Sequence, residues 1–152
     1  MTTLEQLREL YQEVVFDHNR HPRNFKKIED ADRVIEGYNP LCGDKITLYL
    51  KLEGDRIADI GFQGEGCAIS TASASIMTEL VKGKPLREAE ALFQKFHQIV
   101  TSPSSEVRLE ELGKLAVLAG VKRFPNRIKC ATLAWHALEA ALHGREEPVS
   151  TE

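Results

Sequence analysis

Four side chains of this sequence have the chemistry of a metal or sulfur site: the cysteines Cys42, Cys67 and Cys130, and the carboxylate of Asp44. Cys42 and Asp44 share the stretch NPLCGDKI, whose Asn, Pro, Gly and Asp are typical of a tight turn. Three thiolates and one carboxylate form a four-donor set that suits tetrahedral Zn²⁺, and the thiolates also suit an iron–sulfur cluster. A carboxylate binds iron more weakly than a thiolate, which favours a site that also releases what it holds.

The spacing of the cysteines leaves a simpler interpretation open. The three are far apart in the chain, form no C-x-x-C pair and are odd in number, so they make a poor disulfide framework. Isolated cysteines in reducing compartments are often buried and behave as small hydrophobic residues. From spacing alone, buried structural thiols and a turn aspartate remain an alternative to a metal site.

Length and composition indicate one globular domain. A chain of 152 residues with 42% hydrophobic and 28% charged residues can bury a core and is not expected to be disordered. The net charge of −3 disfavours a broad nucleic-acid interface. No apolar run is long enough to cross a bilayer, and the N-terminal MTTLEQLREL is too polar for a secretory signal. We therefore predict a cytoplasmic protein that binds neither nucleic acid nor membranes.

Hydrophobic periodicity predicts strands first and helices afterwards. The stretch KITLYLKL alternates with period two, and DRVIEGYN reads as a shorter strand before it. After the turn EGD, RIADIGFQG reads as a further strand, with Ala58, Ile60 and Phe62 expected on one face. Helical spacing predicts a first helix that ends before HNRHPRNF, and three later helical regions that include AISTASASIMTELV, PLREAEALFQKFHQIV and a long last helix. The segment VRLEELGKLAVLAGV is expected to be helical in pieces.

These elements predict an α+β fold, with a small antiparallel sheet of about three strands and helices packed on one face. We expect one domain over residues 1–144 and a loose polar tail over 145–152.

The predicted topology brings the thiols together. Cys42 precedes the long strand and Cys67 follows its partner, so both lie at one end of the hairpin. Cys130 lies in the first turns of the last helix, and all three converge if that helix begins at the same end. A helix N-terminus favours a thiolate. Arg127 and Lys129 flank Cys130 and would offset the negative charge of such a site.

The stretches NPLCGDKI, FQGEGCAISTASASIMTELVKGK and RIKCATLAWHAL resemble the IscU/NifU N-terminal family of iron–sulfur cluster assembly scaffolds. The resemblance runs from the first helix to about Gly144 and is greatest with the SufU-type branch. Lys129 stands where IscU-type members have a histidine, and the segment 84–124 looks like the SufU-type insertion. FPNRIKC stands in place of the L-P-P-V-K stretch of IscU-type members, so dependence on a dedicated chaperone is not expected to carry over.

The resemblance implies a SufE/NifU-like fold and Zn²⁺ bound by Cys42, Asp44, Cys67 and Cys130. It implies that Cys42 accepts persulfide sulfur from a SufS-type, PLP-dependent cysteine desulfurase, and that Arg127 assists when a partner histidine replaces Cys42 on the metal. It also implies a transient [2Fe–2S] cluster or iron on the three cysteines, with delivery to downstream Suf assembly proteins or apo recipients. The protein would then stimulate an enzyme rather than be one.

Two other functions stay open at this point. A structural zinc-binding interaction module would use the same four ligands without sulfur transfer. A cysteine-nucleophile enzyme would need an activating histidine, and none is adjacent to a cysteine in sequence. His18 and His21, in the loop HNRHP, are interpreted as surface residues.

Overall fold

The protein is described here by a computed structural model that covers residues 4–102 and 108–151. The helices are α1 (Leu4–Arg20), α2 (Ala68–Val81), α3 (Leu86–Thr101) and α4 (Pro125–Leu142), with a 3₁₀ segment at Leu109–Arg123. The strands are β1 (Arg33–Asn39), β2 (Asp44–Glu53), β3 (Arg56–Glu65) and β4 (Val149–Ser150), in the sheet order β3-β2-β1-β4. The predicted α+β class is confirmed.

Strands β1, β2 and β3 form the predicted antiparallel meander. The alternation of apolar and polar residues in β2 sets which face of the strand packs inward, and Ile46, Leu48 and Leu50 are buried on that face. The sheet has a fourth strand, because β4 pairs in parallel with β1 and the Thr151 N–H donates to the Tyr38 carbonyl. The expectation of about three strands is therefore one short, since β4 lies within 145–152, where the sequence predicted a loose tail.

The alternation predicted for β3 is wrong at its start. The sequence pattern put Ala58 on the buried face with Ile60, but the fully buried residues are Ile57 and Ile60. The pairing of β2 with β3 shifts register between Lys51 and Leu52. A bulge reverses which residues face inward, so a strict period of two does not hold across it.

The helices cover one face of the sheet. Helix α4 packs on β1 and β2, α2 lies beside α4, and α1 packs on α2, while α3 and the 3₁₀ segment lie against α4. Trp135 of α4 is fully buried against Phe93 and Phe96 of α3. Small residues let α2 and α4 approach closely, and the Ser73 hydroxyl donates to the Ala131 carbonyl between them. This packing fixes the position of α2 relative to α4.

The 3₁₀ segment confirms the prediction of interrupted helix. Gly113 has a φ of 58° inside it, and this left-handed conformation breaks the segment into two pieces. No helix within the described parts of the chain is both long and apolar enough to cross a membrane.

The sequence suggested that His18 is a surface residue, but it is fully buried at the end of α1. Its Nδ1 lies 2.6 Å from the Ser75 hydroxyl of α2, which also accepts the Arg23 N–H at 2.8 Å. Its Nε2 lies 3.4 Å from a Glu79 carboxylate oxygen without forming a hydrogen bond. This contact fastens α1 and the following loop to α2. His21 is exposed, as predicted.

The pH dependence of stability should reflect His18. Burial, with Lys114 and Arg23 adding to it, lowers its pKa from 6.5 to about 4, so the folded protein binds this proton less tightly than the unfolded chain. The contribution of neutral His18 to the free energy of unfolding is complete above pH 6.5. As the pH falls from 6.5 towards 4, up to about 3 kcal/mol of this contribution is lost. Urea unfolding between pH 4 and 8 should show a smaller loss for His18→Asn than for the wild type.

His21→Gln, which removes an exposed histidine from the same loop, is the matched control and should keep the wild-type pH dependence. Identical pH profiles for the wild type and His18→Asn would contradict the assignment.

Candidate metal centre

The turn between β1 and β2 presents the first two predicted ligands. Asn39 and Asp44 face each other as the last pair of the ladder. The Gly43 N–H donates to the Asn39 carbonyl at 2.9 Å, and Gly43 adopts a φ of 74°, which favours glycine. This turn leaves Cys42 exposed at its tip, while Asp44 is fully buried at the start of β2.

Helix α2 begins against Asp44. Cys67 is the N-cap of α2, and its sulfur accepts the Ser70 N–H at 3.4 Å. The Cys67 N–H donates to Asp44 Oδ1 at 2.8 Å, which ties the start of α2 to the start of β2. A Cβ at Gly66 would lie 2.9 Å from Asp44 Oδ1, so the backbone approaches the carboxylate this closely because the residue is glycine.

Cys130 reaches the same place from α4. It is fully buried, and its Sγ lies 3.3 Å from Cys42 Sγ. The sequence placed Cys130 at a helix N-terminus, which is only approximately right. It is the sixth residue of α4, and its thiol is 3.5 Å from the Asn126 carbonyl one turn earlier. Of the three cysteines, only Cys67 caps a helix.

Three of the four predicted donors converge tightly. Cys42 Sγ, Cys130 Sγ and a carboxylate oxygen of Asp44 all lie within 4.8 Å of one another. Cys67 borders this cluster through its N–H bond to Asp44, with its sulfur directed at the helix N-terminus. Thiol and carboxylate donors that are partly shielded from water match the ligand chemistry of Zn²⁺, and the thiols match iron.

The surroundings of the Cys130 thiol favour its protonated, neutral form. Burial raises its pKa well above the ordinary value, and hydrogen bonding with Cys42, Asp44 and Cys67 raises it further. The sequence argument that a helix N-terminus lowers thiol pKa values therefore does not apply to Cys130. A cysteine binds a metal ion as the thiolate, so metal binding at this site is expected to release protons.

Asn39 belongs to the site, although the sequence pattern marked it only as a turn residue. It is fully buried, and its Nδ2 lies 3.2 Å from Asp44 Oδ2 and 3.5 Å from Cys130 Sγ. Its Oδ1 accepts the Leu41 N–H at 3.3 Å. Its position in the sequence is the signal that could have identified it, since a residue paired with Asp44 across a hairpin must lie beside that predicted ligand.

The two predicted basic residues lie on α4 next to Cys130. Arg127 is exposed in the first turn, and Lys129 is partly exposed. Within residues 4–102 and 108–151, neither side chain forms an ion pair or a side-chain hydrogen bond. Two large apolar side chains near the site along the chain, Leu41 and Phe124, are also exposed.

Comparison with known proteins identifies the family of this chain. Residues 10–131 match the family described as the NifU-like N terminal domain. The chain is 45% identical to the iron–sulfur cluster assembly scaffold protein IscU of Streptococcus pyogenes serotype M1, over 91% of this chain and 86% of that protein. It is 43% identical to the zinc-dependent sulfurtransferase SufU of Bacillus subtilis, over 90% and 92% of the two chains.

A solved structure from Fervidobacterium islandicum AW-1, described as a putative iron–sulfur cluster assembly scaffold protein for the SUF system, has the same fold. It superposes with a TM-score of 0.80 at 38% identity, covering 88% of this chain and 97% of that one. The chain therefore belongs to the NifU-like N-terminal domain family, together with the IscU and SufU proteins of iron–sulfur cluster assembly.

Proposed function

We propose that this protein accepts persulfide sulfur on Cys42 from a SufS-type cysteine desulfurase and supplies it to iron–sulfur cluster assembly, with Zn²⁺ as the resident metal of the site. The observation that carries the proposal is that the four donors are held unequally. The Bacillus relative's name, a zinc-dependent sulfurtransferase, supports the same class of function.

Three of the donors are fixed by the fold. Asp44 accepts N–H bonds on both carboxylate oxygens, from Cys67 and from Asn39. Cys67 is fixed as a helix cap, and Cys130 is fully buried.

Cys42 is the exception. It is exposed on a turn. Within the part of the chain that the structure describes, its side chain forms a hydrogen-bond contact with the sulfur of Cys130. It is therefore the donor that can leave the site and meet a partner at the least cost in lost contacts.

The transfer is a thiol exchange. Cys42, Asp44, Cys67 and Cys130 would hold Zn²⁺, and binding to the metal would keep the cysteines deprotonated at neutral pH. The Cys42 thiolate attacks the outer sulfur of a protonated persulfide on the desulfurase, and a bond forms between Cys42 Sγ and that sulfur. The S–S bond of the partner breaks, its cysteine leaves as a thiolate, and the proton stays on the transferred sulfur. No net oxidation or reduction takes place.

The surroundings of the site suit a protein partner. Arg127 and Lys129 add positive charge beside the thiolates, which favours ligand exchange. Leu41 and Phe124 offer apolar contact area at positions that a docked partner would cover. In this proposal, iron or a nascent [2Fe–2S] cluster is cargo that the cysteines hold transiently before delivery to downstream Suf proteins or apo recipients.

Purified protein should contain about one Zn²⁺ per chain, since the four donors form a single site. Elemental analysis should show that Asp44→Ala reduces this content strongly, and that zinc is lost as the pH falls and the thiols take up protons. Zinc-free fresh protein, with Asp44→Ala unchanged in metal content and stability, would count against the site.

Cys42→Ala should abolish sulfur acceptance, because the attacking thiolate is gone, while the protein stays folded. The measurement is desulfurase turnover with cysteine as substrate, with persulfide detected on the acceptor by mass spectrometry. Cys67→Ala and Cys130→Ala should instead destabilise the fold, because these residues cap α2 and fill the core. A structural zinc module predicts that all three substitutions act alike, and full stimulation by Cys42→Ala would exclude the acceptor role.

Arg127→Ala should slow desulfurase stimulation by roughly tenfold, because the variant lacks a cation beside the exchanging thiolates. Arg127→Lys keeps the charge and should lose less. Added salt should reduce the wild-type rate more than the Arg127→Ala rate, since screening acts on the same charge. Equal rates for wild type and Arg127→Ala across salt concentrations would remove Arg127 from the exchange.

A further inference from the structure

Asn39 contacts two of the proposed ligands at once from a position fully shielded from solvent. Its Nδ2 is 3.2 Å from Asp44 Oδ2, a hydrogen bond, and 3.5 Å from Cys130 Sγ, within the range for a bond to sulfur. An amide NH₂ group carries two N–H donors and no acceptor, so one nitrogen can serve both atoms. A carboxylate and a thiolate can only accept hydrogen bonds. The Asn39 amide donors therefore match Asp44 and Cys130 in the deprotonated forms that bind a metal.

The other polar groups of Asn39 are also used. Its Oδ1 accepts the Leu41 N–H and its carbonyl accepts the Gly43 N–H. These bonds hold the backbone on both sides of Cys42, but none involves the Cys42 side chain. Asn39 itself is the last residue of β1, paired with Asp44 across the ladder. It is therefore anchored in the sheet and does not depend on Cys42 for its position.

We propose that Asn39 is a positioning residue that keeps Asp44 and Cys130 in ligand geometry while Cys42 is detached from the site. The proposal rests on the sulfur-acceptor function above, in which Cys42 must leave its co-ligands. Once Cys42 leaves, Cys130 loses its sulfur–sulfur contact, and the Asn39 amide remains as a side-chain donor to both Cys130 and Asp44. Partners that orient metal ligands in this way typically contribute 10- to 100-fold in metal affinity.

The test uses Asn39→Leu, which roughly keeps the side-chain volume and removes both donors, and Asn39→Ala as a second variant. Asn19→Ala, at an exposed position of α1, is the matched control. Each is made in the full-length chain, in the wild-type and in the Cys42→Ala background. Zinc affinity is measured by competition with a chromophoric chelator. Visible spectra of the Co²⁺-substituted proteins report ligand geometry. If Asn39 only stabilised the fold, its substitution would leave these spectra unchanged.

We expect Asn39→Leu and Asn39→Ala to weaken zinc binding by about 10- to 100-fold in the wild-type background, and at least as much in the Cys42→Ala background. Their Co²⁺ bands should shift or broaden, while Asn19→Ala should match its parent. Zinc affinity within twofold of the parent, with unchanged Co²⁺ bands, would overturn the positioning role even if the metal-free variants were less stable.

The two proposals can fail separately. If Cys42→Ala still stimulates the desulfurase, the acceptor function fails. The Co²⁺ spectra and zinc affinities of the Asn39 variants in the wild-type background then still decide whether Asn39 positions the ligands. If the Asn39 variants bind zinc normally while Cys42→Ala is inactive, the acceptor function stands and the role of Asn39 is refuted.

Discussion

The site depends on one buried carboxylate. Asp44 is fully shielded from water, and its charge is tolerable there because both oxygens accept N–H bonds, one from the backbone of Cys67 and one from the side chain of Asn39. Those two bonds join the end of β1, the start of β2 and the start of α2. The same carboxylate is thus a structural junction and a candidate ligand, so the hairpin cannot shift relative to α2 without disturbing the site.

Around that junction the sulfur donors differ in freedom. Cys130 is buried in α4 and Cys67 caps α2, so moving either would disrupt a helix or the core. Cys42 lies on an exposed turn whose glycine supplies the required backbone conformation. In the proposed function, such a site would give up one ligand and retain three. Cys42 would then be shielded by the metal and still be able to react.

Much of this arrangement follows from sequence. The alternation through Leu48 fixes β2, and hairpin topology places Cys42 and Cys67 at one end of it. The contacts of His18 with Ser75 and of Asn39 with Cys130 could not be predicted, because they join residues 57 and 91 positions apart and no periodicity encodes them. The inward-facing residues at the start of β3 were misassigned for a related reason, since a bulge is set by pairing with β2 rather than by the strand itself. The short strand β4 was missed because two residues carry no periodic pattern.

The unequal freedom of the three thiols can be measured directly by timed alkylation of the zinc-loaded protein, with peptide mass spectrometry to quantify labelling at each cysteine. Cys42 should be labelled well before Cys67 and Cys130, because it alone is exposed and weakly held. Labelling of all three at the same rate, or of Cys130 first, would contradict the central claim that the fold holds three donors and leaves one free.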